Sequence, residues 1–332
     1  MARVGCGGYI SLTTPRAQPP MNPEVSVVIP AYNRRRMLCD AINSVIAQTQ
    51  AAWELIVVDD GSTDGTFDDL RCGEMARVLS TAPPACRIVL ERTARRGVAA
   101  ARNRGAALAS APYIAFLDSD DLWMPDKLRR QLAYMRSHPQ YPLVQTQEVW
   151  MRDGRRMNPG RRHQKRAGDI FEPSLRVCLI SCSATMMSAA LFREMGGFDE
   201  RMRACEDYDL WLRILSAHPV GLLDEALVTR RAGHPDQLSA GPALDRFRIR
   251  ALVKLLAGCE LTPAREKAVA QVLAEKCAIY GNGLKRRGRM AEFDIYSNLG
   301  HNARIWLEGG PKPSAAHWGG VLETLPTNVD AA

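Results

Sequence analysis

The sequence predicts an α/β fold in which a mainly parallel sheet is flanked by helices and followed by a helical extension. Three observations support this. Short apolar runs rich in β-branched residues alternate with segments of helical periodicity from residue 25 to residue 117. This alternation is typical of parallel sheets with helices on both faces. From about residue 241 the periodicity is helical.

Each predicted element rests on its own run of residues. Apolar residues between Met37 and Ile46 recur at helical spacing, whereas 25–30 and 53–58 are short apolar runs. An Asp-Gly pair at 153–154 predicts a tight turn. The predicted strands are 25–30, 53–58, 86–91, 113–117, 143–151 and 226–231. The predicted helices are 35–48, the later sixties, 97–109, 125–138, 206–218 and three segments after 241, and 184–192 is predicted to be a strand followed by a helix.

Composition divides the chain into four parts. Residues 1–22 contain prolines and glycines without a long apolar run, which predicts a disordered leader rather than a signal peptide; Met21 is a second candidate start. The other expected parts are the main α/β domain at 23–240, a helical extension at 241–308 and a loose tail rich in glycine and proline at 309–332.

The overall composition is that of a globular protein with a sizeable core. The 332 residues are 46% hydrophobic and 24% charged, and no run approaches the roughly 18 apolar residues of a membrane span. The nine cysteines are scattered and form no CxxC pair, which favours reduced cysteines in a cytosolic protein. The net charge of +8 is compatible with nucleic acid, anionic lipid or a phosphorylated substrate and does not choose among them.

Two acidic clusters follow predicted strands. Asp118, Asp120 and Asp121 follow the strand at 113–117, and Asp60 lies just after the strand at 53–58. The carboxyl ends of parallel strands share one edge of the sheet, and ligands bind at that edge. Carboxylate oxygens suit Mg²⁺ or Mn²⁺ when phosphate oxygens complete the coordination shell. We therefore predict a metal site at Asp118 and Asp120, with Asp121 capping the following helix.

Several other residues admit both a functional and a structural interpretation. Asp60 either accepts hydrogen bonds from a nucleoside, with Gly61 permitting close backbone approach, or belongs to an Asx-type turn that caps the next helix. Arg102 either meets a phosphate or is exposed, and Asn103 either joins it or bonds a neighbouring loop. Asp207, in the first turn of a helix, is either a general base or a favourable partner of the helix dipole.

Two loops are ambiguous in the same way. His234 follows a predicted strand, and a lone loop histidine is either a ligand of metal or phosphate or simply exposed. Residues 152–166 are dense in arginine and lysine. They predict either a solvated loop or a contact with an anionic acceptor or a membrane surface.

Six segments, in order across about residues 24–240, resemble the inverting nucleotide-sugar glycosyltransferases of family 2, which have the GT-A fold. The segments are VSVVIPAYNRRRML, WELIVVDDGSTDGT, RGVAAARNRGAALASAPYIAFLDSDDLWMPDKL, GGFDE, CEDYDLWLR and HPDQLS. The resemblance implies a Rossmann-like GT-A domain with a mixed sheet. The helices after about 241 lie outside it.

The resemblance also implies roles for the matched residues. The residues assigned to the nucleotide are Pro30, Ala31 and Tyr32 as the wall around the base, Asp60 as the carboxylate that meets the base, and Arg102, Asn103 and Ser119 as polar contacts. Asp118 and Asp120 are similar to the DxD motif, with Asp120 the more direct metal ligand. Asp207 is similar to the catalytic base, and His234 to a residue near the diphosphate and metal in some members.

By resemblance, the expected activity is transfer of one sugar from a nucleotide-diphosphate sugar, with uridine, to an acceptor hydroxyl, using Mn²⁺ or Mg²⁺. The QxxRW motif and the membrane spans of processive synthases are absent from this sequence. We expect a cytoplasmic protein with a saccharide or glycan acceptor of surface polysaccharide synthesis and no nucleic-acid partner. Peripheral association with the inner face of the membrane and a homo-oligomer through the C-terminal helices stay open.

Three alternatives belong to other classes. They are a non-catalytic nucleotide-sugar-binding protein on the same fold, a nucleotidyltransferase, which also combines an α/β sheet with acidic metal ligands, and a nucleic-acid-binding protein. The last is disfavoured because the basic loop lacks interleaved aromatic residues.

Overall fold

The computed structural model describes residues 9–11, 22–158, 160, 163–233, 241 and 243–326. These residues belong to two compact units. The first unit draws on Met1–Gly168, Ile180–Glu200 and Pro219–His234, and the second on Asp169–Leu179, Arg201–His218 and Pro235–Ala332.

The described strands all lie in the first unit and form one sheet. They are β1 (Tyr9–Ser11), β2 (Val25–Ala31), β3 (Trp53–Asp59), β4 (Arg87–Arg92), β5 (Tyr113–Phe116), β6 (Leu122–Trp123), β7 (Leu143–Arg152), β8 (Arg155–Met157), β9 (Thr185–Ser188) and β10 (Gly221–Ala232). Their order is β1-β4-β3-β2-β5-β9-β7-β10-β6, and β8 pairs with β7.

Helices occur in both units. The first unit contains α1 (Arg35–Ile46), α2 (Thr66–Cys72), α3 (Glu74–Leu79), α4 (Val98–Leu108), α5 (Lys127–Ser137) and α7 (Ala189–Glu194). The second contains α6 (Phe171–Arg176), α8 (Glu206–Leu215), α9 (Leu244–Gly258), α10 (Pro263–Arg286), α11 (Met290–Leu307) and α12 (Ala315–Thr324). In the described part of the chain, no helix combines the length and the hydropathy needed to cross a bilayer.

The sheet is mixed, as the resemblance implies. Strands β2, β3, β4 and β5 are mutually parallel, whereas β9 runs antiparallel to both β5 and β7. The parallel strands therefore end at one edge of the sheet, at Ala31, Asp59, Arg92 and Phe116. Strand β2 lies between β3 and β5, so the ends of β3 and β5 are about 10 Å apart.

Burial explains why these segments form the predicted elements. Every residue of β2 and β3 is buried, which is typical of central parallel strands. Helix α1 buries Leu38, Ala41, Ile42 and Val45, the face that its periodicity predicts. Helix α4 packs closely on the sheet at Gly105, where a Cβ atom would lie 2.3 Å from Cγ1 of Val28.

The two ends of the chain differ from the sequence prediction. Residues 9–11 lie within the predicted disordered leader, yet they pair antiparallel with β4, which would otherwise be an open sheet edge. Helix α12 lies within the predicted loose tail. Ser314 caps it by accepting a hydrogen bond from the His317 amide, and Trp318 is buried.

The domain limits also differ. Residues 169–179 and 201–218, predicted as part of the 23–240 domain, cluster with the C-terminal helices in the second unit. Helix α8 packs on α9, and α6 packs on α8 and α10. Arg250 on α9 donates hydrogen bonds to the carbonyls of Leu322 (3.0 Å) and Leu325 (3.3 Å) and so holds the end of α12.

Helix α12 supplies a stability prediction. Trp318 is 1% exposed, so replacing it by alanine is expected to lower the free energy of unfolding of the second unit by about 3–5 kcal/mol. Urea unfolding followed by circular dichroism measures the change. Glu323→Ala, at an exposed position of the same helix, is the control and should change stability by less than about 0.5 kcal/mol. Equal stability of the two variants would contradict the packing of α12.

Candidate active site

The loop between β5 and β6 brings three carboxylates together. One oxygen from each of Asp118, Asp120 and Asp121 lies within 4.8 Å of the others. We call residues 118–121 the carboxylate loop. It follows β5 at the carboxyl edge of the parallel strands, as predicted. Three carboxylate oxygens at this spacing form a hard-oxygen donor set, which fits Mg²⁺ or Mn²⁺.

Asp121 anchors this loop and does not cap the next helix, contrary to the sequence prediction. It is 4% exposed; Oδ2 accepts a hydrogen bond from the Ser183 hydroxyl (2.7 Å), and Oδ1 accepts one from the Arg231 amide (3.0 Å). Helix α5 begins only at Lys127, with Asp126 at the N-cap position. Burial, and then the charges of Asp120 and Asp118, raise the pKa of the Asp121 carboxyl well above its usual value.

Ser183 fixes the loop at two points. Its hydroxyl, which is fully buried, also accepts a hydrogen bond from the Asp118 amide (3.1 Å). Its carbonyl accepts one from the Trp123 indole (2.7 Å). Sequence reasoning missed Ser183, because it lies more than 60 residues from the loop in sequence.

Arg231 is a second residue that the sequence analysis missed. Its guanidinium donates to the carbonyl of Asp120, to the Asp40 carboxylate (2.7 Å) and to the Met37 carbonyl (3.2 Å). It therefore ties the carboxylate loop to α1 and to the end of β10. The sequence signal for Arg231 is the pair of arginines at 230–231, which lies just before the segment that contains His234.

Arg102 lies beside the carboxylate loop, where the sequence analysis places a polar contact. Its guanidinium donates a hydrogen bond to Asp118 (2.6 Å) and stacks over the Phe198 ring at 5.2 Å. The Arg102 side chain is 5% exposed and the Asp118 side chain is 34% exposed. The buried positive charge lies next to a carboxylate that is accessible from solvent.

Asn103 bonds a neighbouring loop, which is the structural interpretation left open by the sequence. Its side-chain amide donates to the Phe198 carbonyl (2.9 Å), and its oxygen accepts from the Phe198 amide (2.9 Å). The amide also donates to Glu200 (3.1 Å). Asn103 therefore positions the ring on which Arg102 stacks.

Asp60 is buried at the end of β3 and holds the loop after β4. Its Oδ1 accepts from the Arg96 amide and its Oδ2 from the Gly97 amide, both at 2.8 Å. Gly61 approaches this loop closely: its φ is 74°, and a Cβ atom would lie 2.9 Å from the Arg95 nitrogen. The Asp60 carboxylate thus orients the amides at the start of α4.

Asp59 stabilises the neighbouring turn. It accepts a hydrogen bond from the Ser62 amide (3.3 Å) and lies 3.4 Å from the Arg92 guanidinium. Burial raises the pKa of the Asp59 carboxyl, although Ser62 and Arg92 act in the opposite direction.

Pro30, Ala31 and Tyr32 lie at the carboxyl end of β2, on the same edge of the sheet. Pro30 and Ala31 are buried, and Tyr32 is half-buried with the Arg95 guanidinium 4.1 Å from its ring centroid. A planar cation stacked on an aromatic ring provides flat surfaces on which a base can also stack. Ser119 lies in the carboxylate loop and is 8% exposed.

Asp207 lies in the second unit, in the first turn of α8, and is half-buried. The Sγ atom of Cys178 lies 3.8 Å from Oδ2 of Asp207, and Oδ1 accepts a hydrogen bond from the Tyr208 amide (2.7 Å). Two residues further on, Asp209 has a different role: it is 1% exposed and pairs with Arg213 (2.9 Å) and Lys254 (2.8 Å). Asp207 is therefore the more accessible of these two carboxylates.

The remaining predicted ligand, His234, lies outside the residues that the structure describes.

A comparison with family models decides the family. Residues 26–196, just over half of the chain, match the model described as Glycosyl transferase family 2. The chain belongs to glycosyl transferase family 2. This confirms the resemblance drawn from the sequence motifs.

Similar proteins agree with this membership. An uncharacterized glycosyltransferase of Rickettsia felis is 34% identical over 210 residues, which cover 61% of this chain and 32% of that protein. The UDP-Glc:alpha-D-GlcNAc-diphosphoundecaprenol beta-1,3-glucosyltransferase WfgD of Escherichia coli is 30% identical over 206 residues, which cover 60% of this chain and 73% of WfgD. The chain spans about a third of the length of the Rickettsia relatives that it matches.

The fold also has a solved counterpart. The crystal structure of S. aureus TarS 1-349 in complex with UDP matches with a TM-score of 0.61 at 17% identity, covering 91% of this chain and 90% of that one. The predicted GT-A fold, a mixed sheet flanked by helices with further helices after it, is confirmed.

Proposed function

We propose that this family 2 chain is an inverting glycosyltransferase that moves one sugar from a UDP-sugar to an acceptor hydroxyl. The observation that carries the proposal is the carboxylate loop, with three carboxylate oxygens within 4.8 Å at the carboxyl edge of the parallel strands. The uridine donor is supported by UDP-Glc in the name of WfgD and by the UDP bound to TarS.

In this proposal Asp118 and Asp120 hold Mn²⁺ or Mg²⁺, for which their oxygens are suitable ligands. Such an ion, when bound, offsets the negative charge that grows on the departing diphosphate. Asp121, Ser183 and Arg231 keep the two ligand residues in place through the hydrogen bonds described above. Arg102 holds the Asp118 carboxylate and supplies positive charge beside the diphosphate position.

Asp207 is the proposed general base. It receives the proton of the acceptor hydroxyl while the acceptor oxygen forms its bond to the anomeric carbon and the bond from that carbon to the diphosphate breaks. Its half-buried position in the first turn of α8 supports this role. The proposed acceptor is a saccharide of surface polysaccharide synthesis, carried on a lipid diphosphate as in the name of WfgD.

Donor turnover tests the proposal. Incubation of the protein with a panel of UDP-sugars and Mn²⁺ is expected to release UDP, which a coupled assay measures. EDTA should abolish the release and excess Mn²⁺ should restore it. Full activity in EDTA would contradict the metal assignment. Release of pyrophosphate from UTP and a sugar 1-phosphate, with no UDP released from the UDP-sugars, would indicate a nucleotidyltransferase instead. Tight binding of a UDP-sugar without any turnover would favour a non-catalytic binding protein.

A further inference from the structure

The last residues of β7 and β10 form, together with β8, a short ribbon of three paired segments. Strand β8 pairs with residues 150–152 of β7, and residues 230–232 of β10 pair with the same residues from the other side. Asp153 and Gly154 connect β7 to β8 with positive φ angles of 50° and 73°, as a two-residue type I′ turn requires. We call residues 150–157 together with 230–232 the basic ribbon.

One face of the basic ribbon combines arginines with large apolar side chains. The register places Trp150 opposite both Met157 and Arg230, and Arg152 opposite Arg155. Residues directly opposite on paired strands share a face, so these five side chains lie on one face. The Arg230 guanidinium is 4.7 Å from the Trp150 ring centroid, as expected for neighbours on that face.

Two arginines of this face, Arg152 and Arg155, have no ion-pair partner within the described part of the basic ribbon. Arg152, Arg155 and Met157 are exposed, with Met157 at 36%. Within the described part of the chain neither Arg152 nor Arg155 forms an ion pair. Like charges directly opposite on paired strands destabilise the pairing, and an external anionic surface would offset that repulsion.

We propose that the basic ribbon docks on an anionic lipid bilayer. Arginines near the surface are attracted to anionic headgroups, while the exposed Met157 can enter the boundary between headgroups and acyl chains. Trp150 supports this face from within: it is half-buried, its ring packs against His163 at 5.6 Å, and its indole donates a hydrogen bond to Glu148 (3.1 Å).

The sequence of the segment supports the same occupant, because residues 152–166 contain six arginines against one acidic residue, Asp153. Lys165, in the same segment, is buried and paired with Glu148 and is not counted. A small soluble anion would use the charges and leave the exposed Met157 side chain without a function.

Vesicle co-sedimentation of the whole chain tests this inference without any donor sugar, so its outcome is separate from that of the proposed function. Wild-type protein is expected to bind phosphatidylcholine vesicles containing about 30% phosphatidylglycerol, to bind pure phosphatidylcholine vesicles poorly, and to dissociate as salt increases. The Arg152→Gln/Arg155→Gln double variant should bind the anionic vesicles about 30-fold more weakly. Met157→Ser should weaken binding at high salt, where the charges are screened.

Arg286→Gln/Arg287→Gln is the matched control, because it removes two exposed positive charges from the end of α10. It should bind like the wild type, and Arg152→Lys/Arg155→Lys, which keeps the ribbon charges, should retain most binding even if the glutamine variant is unstable. Equal losses in the two glutamine variants would mean that net charge alone acts and would overturn the proposal. Failure of the wild type to bind, or release from vesicles by millimolar pyrophosphate at constant ionic strength, would also overturn it.

Discussion

Replacing Asp207 by asparagine is expected to lower the rate of sugar transfer about 10²–10⁴-fold while UDP binding stays unchanged. Asparagine keeps the shape of the side chain but cannot accept the proton of the acceptor hydroxyl. The site is half-buried in the first turn of α8, where the amide of Tyr208 already bonds the side chain, so the fold should tolerate the change. Initial rates of UDP release at saturating donor and acceptor, with UDP affinity measured by calorimetry, separate the two effects.

The control for this prediction is Asp294→Asn, at an exposed position of α11. It removes the same charge from the same unit and should leave the rate within about twofold of the wild type. If Asp207→Asn also keeps the wild-type rate, Asp207 is not the base. If it loses UDP affinity in proportion to its rate, the residue acts in donor binding and the base must be sought elsewhere.

The parallel half of the sheet could be predicted because its signals are local. Strands β2 and β3 are continuously buried and mostly apolar, and their observed ends lie within one residue of the predicted ones. The position of the carboxylate loop follows from that order, since parallel strands share their carboxyl edge. The placement of Asp60 and Asp118 at one edge therefore required no tertiary information beyond strand direction.

The partners of the site residues could not be predicted in the same way. Asp121 is held by Ser183 and by Arg231, 62 and 110 residues away in sequence, and Asn103 binds Phe198, 95 residues away. No local pattern encodes such pairs, because they depend on how the chain returns to the sheet. Helix α12 was not predicted, for a different reason. Its segment, AAHWGGVLET, has two glycines and only one large buried residue, so its apolar residues show little helical periodicity.

The two proposed metal ligands are expected to respond differently to substitution. Asp120→Asn and Asp118→Asn should each lower Mn²⁺-dependent transfer at least about a hundredfold, because each removes a charged oxygen that offsets the leaving diphosphate. Arg231 bonds the main-chain carbonyl of Asp120, which the substitution keeps. Asp118 is also the carboxylate beside the buried Arg102, so its loss should additionally lower the free energy of unfolding by about 1–2 kcal/mol.

Three measurements on the same proteins check this difference: UDP release, Mn²⁺ affinity by electron paramagnetic resonance in the presence of UDP, and urea unfolding. Asp68→Asn, at an exposed position of α2, is the control and should match the wild type in all three. Unchanged Mn²⁺ affinity in both ligand variants would refute the metal assignment. Equal stability of Asp118→Asn and Asp120→Asn would instead show that the Arg102 pair contributes nothing to folding. Asp118 would then act on the donor alone, and Arg102 would be held in place by its packing on Phe198.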